Sequence, residues 1–99
     1  MLQSMVNINP DHKKNMDALK RIEGQIRGIQ KMVEDRRYCI EILTQLSSVK
    51  GAMDRVQDDI LELHLSSCVA EALKSSSKED KVRKVNEVVR LLKKFKKNG

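Results

Sequence analysis

Residues 39–73 read CIEILTQLSSVKGAMDRVQDDILELHLSSCVAEAL. Within them Ile42, Leu46, Val49, Met53, Val56, Ile60 and Leu63 recur at spacings of 4, 3, 4, 3, 4 and 3 without a break. That is the heptad pattern of a helix whose apolar seam packs lengthwise on another helix. Cys39 extends the seam at its front, and Leu43, Leu61, Leu65 and Val69 form a second apolar set beside it. A helix with two apolar sides needs two neighbours, one from its own chain and one from another copy. Gly51 and Ala52 are small enough to allow close approach halfway along.

Two further segments flank this one. From about Asp11 to Arg37, Met16, Leu19, Ile22, Ile26, Ile29 and Val33 fall at spacings of three and four, one apolar stripe of a helix capped by Asn9 or Asp11. Ser75, Ser76 and Ser77 make a turn, and Ser77 with Asp80 three residues on fits a capped start. The third helix is expected over about Lys78 to Lys96, with Val82, Val85, Val89 and Leu92 as its stripe and Val88, Leu91 and Phe95 alongside. Pro10 is the only proline, so nothing after it breaks a helix. The reading is all-α: a three-helix protomer in a single domain, residues 1–99, with residues 1–10 a mobile tail.

Composition agrees. One Tyr, one Phe and no Trp leave Leu, Ile, Val and Met to build the core, and 99 residues leave much surface open to association. No apolar run is long enough to span a bilayer, and the first ten residues lack the pattern of a signal peptide. Two cysteines without an export signal point to reduced thiols in the cytoplasm. The net charge of +6 is uneven: His12–Arg37 carries +4 and Lys74–Gly99 +7, while Tyr38–Leu73 carries −4. A polyanion is met by the two basic ends. No activated nucleophile, carboxylate pair or glycine-rich phosphate loop appears, so an enzyme is not expected.

The middle carries the chemistry. His64 and Cys68 are four residues apart and share one helix face. Thiolate and imidazole suit a soft or borderline metal. Cys39 lies 25 residues before His64, roughly 38 Å away along one helix at 1.5 Å per residue, so all three cannot share a metal within that helix. Pair the helix antiparallel with a copy, with the centre near Ala52 and Met53, and Cys39 of one chain falls opposite the His64–Cys68 turn of the other. Two equivalent sites per dimer result. Two sulfurs and one nitrogen satisfy three-coordinate Cu(I); zinc would take a water or a fourth side chain. His12 reads as an exposed terminal residue, and Met16, Met32 and Met53 as packing residues. A Cys39–Cys68 disulfide is the alternative use of the thiols.

Leu19-Lys20-Arg21-Ile22-Glu23-Gly24-Gln25-Ile26-Arg27-Gly28-Ile29, Tyr38-Cys39, Gln45-Leu46-Ser47-Ser48-Val49 and His64-x3-Cys68 together resemble the CsoR-like copper-sensing repressors, relatives of the RcnR and FrmR groups. The likeness runs from about Lys13 to Lys94. It implies a dimer of dimers without a helix-turn-helix, and a Cu(I) site in which Cys39 of one protomer joins His64 and Cys68 of the other. It also implies a Tyr and a Glu near the ligand His. Tyr38 matches the first; Glu87 matches the second if the Ser75–Ser77 turn is an insertion, and Lys84 holds the position otherwise. Asn7 stands where the nickel-responsive branch has its extra His.

Double-stranded operator DNA is the implied partner, contacted through Lys20, Arg21, Arg27, Lys31 and Arg55, with Ala18 where a family Arg is frequent. The apo homotetramer is expected to repress and Cu(I) to release it. The alternatives are a repressor of the same family responding to persulfide, Ni(II) or Zn(II), or a helical metal-buffering oligomer that binds no DNA.

Overall fold

The computed structural model describes residues 11–75 and 77–95. The expected tail over residues 1–10, with Asn7 and Asn9, lies outside these. Three helices follow one another: α1 (Lys13–Glu34), α2 (Cys39–Lys74) and α3 (Lys78–Phe95). No strand occurs among the described residues. The N-cap of α1 falls on His12, one residue past Asp11, and its side chain makes no capping bond. The His12 carbonyl opens the helix, accepting the N–H groups of Asn15 and Met16 at 2.9 and 3.1 Å.

Two compact units divide the chain. The first, His12–Ile60, holds α1 and the leading part of α2. Its core is Ile22 and Ile29 against Val49 and Val56, flanked by Ala18, Ile42, Ala52 and Ile60. Each buried pair is seven residues apart, so the contact repeats every two helical turns. Here the expected seam of α2 divides. Steps of three and four place alternate seam residues in two columns on either side of a line along the helix. α1 takes the column of Ile42, Val49 and Val56. Leu46 and Met53, in the other column, stay 42 % and 51 % exposed, as does Leu43 beside them at 55 %. Ala52, like Ala18, packs against this core. α1 divides in the same way, burying Ile22 and Ile29 while Met16, Leu19, Ile26 and Val33 remain exposed.

The second unit comprises α2 from Leu61 onward and α3. Ser77 caps α3 as expected: the Asp80 N–H donates to Ser77 Oγ at 3.1 Å, and the Lys81 N–H to the Ser77 carbonyl. The facing of α3 differs from expectation. Val82, Val85, Val89 and Leu92 are exposed, and the inward positions are Lys84, Glu87, Val88, Leu91 and Phe95. Lys84 faces inward, donating to Asp80, and the valines face out. Large apolar side chains are left bare on all three helices.

α1 ends by backbone geometry alone. The Arg37 N–H reaches the Met32 carbonyl at 3.0 Å and the Arg36 N–H the Val33 carbonyl at 3.1 Å, the two bonds of a Schellman motif. Such a motif puts its central residue in the left-handed region, and Arg36 has φ 56°. A side chain is disfavoured there, whereas glycine is not. Arg36→Gly is therefore expected to stabilise the fold by about 0.5–1 kcal/mol after the entropy of the unfolded chain is counted. Urea unfolding at matched protein concentration checks this; a lowered midpoint would contradict the strain at Arg36.

Candidate metal centre and basic groove

α2 places His64 and Cys68 one turn apart, and α3 packs across them. Glu87 Oε2 lies 3.9 Å from His64 Nε2, too far for a hydrogen bond, and Nε2 is buried without a hydrogen-bond partner among the described residues. Cys68 is fully buried. Burial pushes its thiol above the usual range, the Glu87 carboxylate adds to the rise, and the Lys84 ammonium opposes it. Of the two positions the sequence leaves open for an acid near His64, Glu87 is the one beside the imidazole. Lys84 is itself buried, 6 % exposed, and donates to Asp80 Oδ2 at 2.9 Å. Arg83 bonds the other Asp80 oxygen. Lys84 above all, then Arg83 and the Ser75 hydroxyl, hold the Asp80 carboxyl well below the ordinary carboxylate range.

Cys39 is the first residue of α2 and is exposed, like Tyr38 before it at 68 %. The Tyr38 carbonyl accepts the N–H groups of Glu41 and Ile42, starting the helix. Among the described residues no three His, Cys, Asp or Glu side chains stand close enough to hold a metal. The second unit sets Glu87 beside His64, with Cys68 one turn further along α2; Cys39 and Tyr38 belong to the first unit. The donor pair suits a soft cation: a buried thiol sulfur and, one turn away, an imidazole. His12, expected to be exposed, is half-buried, with Nδ1 lacking a hydrogen-bond partner among the described residues.

Of the expected DNA-contacting residues, Arg21 and Arg55 line one groove of about 280 Å³ between α1 and α2, with Lys14, Asn15, Gln25 and Asp59. Lys20, Arg27 and Lys31 are exposed on α1 outside it. Arg27 pairs with Glu23 at 3.5 Å and Lys31 with Asp35 at 3.6 Å. These surface pairs are weak enough to yield to a phosphate. Lys14 was missed in the sequence, although its place seven residues before Arg21 puts the two on one face of α1.

A family model for metal-sensitive transcriptional repressors matches residues 11–94. The chain belongs to this family. Among metal-sensitive repressors, it is 50 % identical over 82 residues to the copper-sensing transcriptional repressor CsoR of Bacillus subtilis, covering 83 % of this chain and 78 % of the relative. It is 49 % identical over 55 residues to the copper-sensing repressor RicR of Mycobacterium tuberculosis, covering 56 % and 57 % of the two chains. The crystal structure of the copper-sensing repressor CsoR with Cu(I) from Geobacillus thermodenitrificans superposes with a TM-score of 0.70 at 45 % identity, covering 90 % of this chain and 94 % of that one. The family's all-helical fold is the fold found here.

The Asp80 cluster gives this repressor an acid-sensitive joint. The folded carboxyl titrates below its unfolded value of 3.8, so the native state binds fewer protons there. Its contribution is complete above that value and fades as pH falls below it. Urea unfolding between about pH 6 and pH 3 should show a loss of stability that Asp80→Asn lacks, the variant being less stable at neutral pH. Parallel pH profiles for the two proteins would remove the role of this cluster.

Proposed function

We propose that the protein is a Cu(I)-responsive transcriptional repressor whose metal site is shared between two protomers. The carrying observation is the half-buried His64 one turn from the fully buried Cys68, with Glu87 beside the imidazole and no cluster of three ligands among the described residues. Cys39, Leu43, Leu46, Met53, His64 and Cys68 fall along one helical stripe of α2, and its leading apolar part is exposed. Lay that helix head-to-tail on a copy about an axis between Met53 and Asp54. Leu46 then meets Leu61, Leu43 meets His64, and Cys39 meets Cys68, once at each end of the pair. The result is a dimer with two sites; the bare stripe of α3 provides surface for a dimer of dimers.

Cys39, His64 and Cys68 would hold the metal. Cu(I) is satisfied by two thiolates and an imidazole, whereas zinc would call for a fourth donor. The named relatives are copper sensors, and one was crystallised with Cu(I). With Nε2 turned toward Glu87, Nδ1 is the nitrogen left for a metal, and Glu87 would orient the ring by closing from 3.9 Å to hydrogen-bond distance; Tyr38 would arrive with Cys39 from the partner. Because Cys68 is fully buried, a metal reaches it only as neighbouring side chains of α3 give way, which ties occupancy to the arrangement of α3.

Lys20, Arg21, Arg27, Lys31 and Arg55 would meet operator DNA. Four chains at +6 carry about +24, enough for strongly salt-dependent binding. Cu(I) needs to shift the DNA equilibrium by about 1–3 kcal/mol, a usual size for coupling between two sites. No helix among the described residues is long and apolar enough to cross a membrane, and the cytoplasm, where DNA and reduced thiols meet, is the place of action. No catalytic role is assigned.

The test is release of operator DNA followed by fluorescence anisotropy while Cu(I), Ni(II), Zn(II) or a persulfide donor is added. Cu(I) should release the DNA, and Cys39→Ala, His64→Ala and Cys68→Ala should each hold it. Release that survives Cys39→Ala sinks the shared site; release by the sulfur donor alone makes the protein a thiol sensor. In the apo protein, Arg21→Ala with Arg55→Ala should weaken binding about tenfold or more and flatten its salt dependence. An unchanged salt slope would place the DNA elsewhere.

A further inference from the structure

The second unit contains a buried cation, Lys84. Cys68 stands seven residues before Ser75 and Lys84 seven after Ser77; His64 and Glu87 stand eleven before and ten after. The register that puts Glu87 beside His64 therefore sets Lys84 level with Cys68, one turn nearer the Ser75–Ser77 turn. A lysine stem is long enough to carry its ammonium out to water, yet Lys84 keeps only 6 % exposure. Asp80 holds it there, accepting from Lys84 at 2.9 Å and from Arg83 as well. One carboxylate against two cations leaves the trio with a net charge of +1.

We infer that Lys84 is a positioning residue of the proposed Cu(I) site, a fixed buried positive charge that offsets the anionic metal–thiolate centre. The inference rests on the shared-site reading. Two thiolates, a neutral imidazole and Cu(I) together carry −1, and Glu87 adds a second negative charge alongside. A buried centre of that sign is costly without a counter-charge. An ammonium has no lone pair and cannot ligate the metal, so Lys84 acts only through its field. The same field already opposes the rise of the Cys68 thiol.

The experiment compares Lys84→Leu, Lys84→Gln and Lys84→Arg with the wild type in the full chain. Cu(I) affinity is read by competition with a chromophoric chelator, alongside urea unfolding and operator affinity of the apo proteins. Loss of the charge in Leu and Gln should cost about tenfold or more in Cu(I) affinity, the usual size for a partner one step removed from a metal. Arg should stay within about threefold of wild type. The apo Leu variant should unfold at the same or higher urea, since an apolar replacement for a buried ion pair is commonly neutral or stabilising. Unchanged apo stability and DNA affinity with weakened Cu(I) binding supports the inference. Wild-type Cu(I) affinity in Leu or Gln overturns it, as does an Arg variant that falls as far as they do. Failure of the wild type to take up Cu(I) defeats the shared site itself.

Discussion

Val49 and Val56 on α2 meet Ile22 and Ile29 on α1, and this contact decides how the first unit presents itself. Every other side chain of this part of α2 takes its facing from it, because a helix is a rigid cylinder and burying one column fixes the angle of all the rest. With that column turned to α1, Leu43, Leu46 and Met53 are left outward, on the stripe that also carries Cys39. The packing within one chain therefore prepares the surface for the next. The proposed metal site inherits its geometry from two aliphatic pairs that never touch it.

Periodicity made the helices legible. Their number, approximate limits and the Ser77 cap follow from spacing and from the chemistry of serine before an acid. The assignment of faces did not follow. Columns of the heptad in α2 are equally apolar, so nothing in the sequence says which of them α1 takes. In α3 the valines form the more apolar stripe, and a reading by hydropathy puts them inside. Lys84 lies inside instead, paired with Asp80. An Asp–Lys pair four residues apart is visible in the sequence as a surface feature; only the fold shows that it is buried.

The candidate site was half legible in the same sense. Helical spacing joins His64 to Cys68, and helix length keeps Cys39 from them. Two alternatives stood open for the acid near His64, and the hairpin of α2 and α3 places Glu87 there. Sequence could not show that the Cys68 sulfur is sealed from solvent while Cys39 is open to it. The two thiols of the proposed centre thus begin in opposite environments. One loses its proton against burial and a neighbouring carboxylate; the other waits on the surface of a helix end.

The thin core has a consequence for the life of the chain itself. Among the described residues, four buried aliphatic side chains join α1 to α2, while sixteen large apolar residues stand open to solvent. A lone copy has little to lose by unfolding, and in the proposed assembly much of its cohesion would come from its neighbours. Persistence of the fold then follows mass action. In that assembly, dilution would work against the fold as heating does.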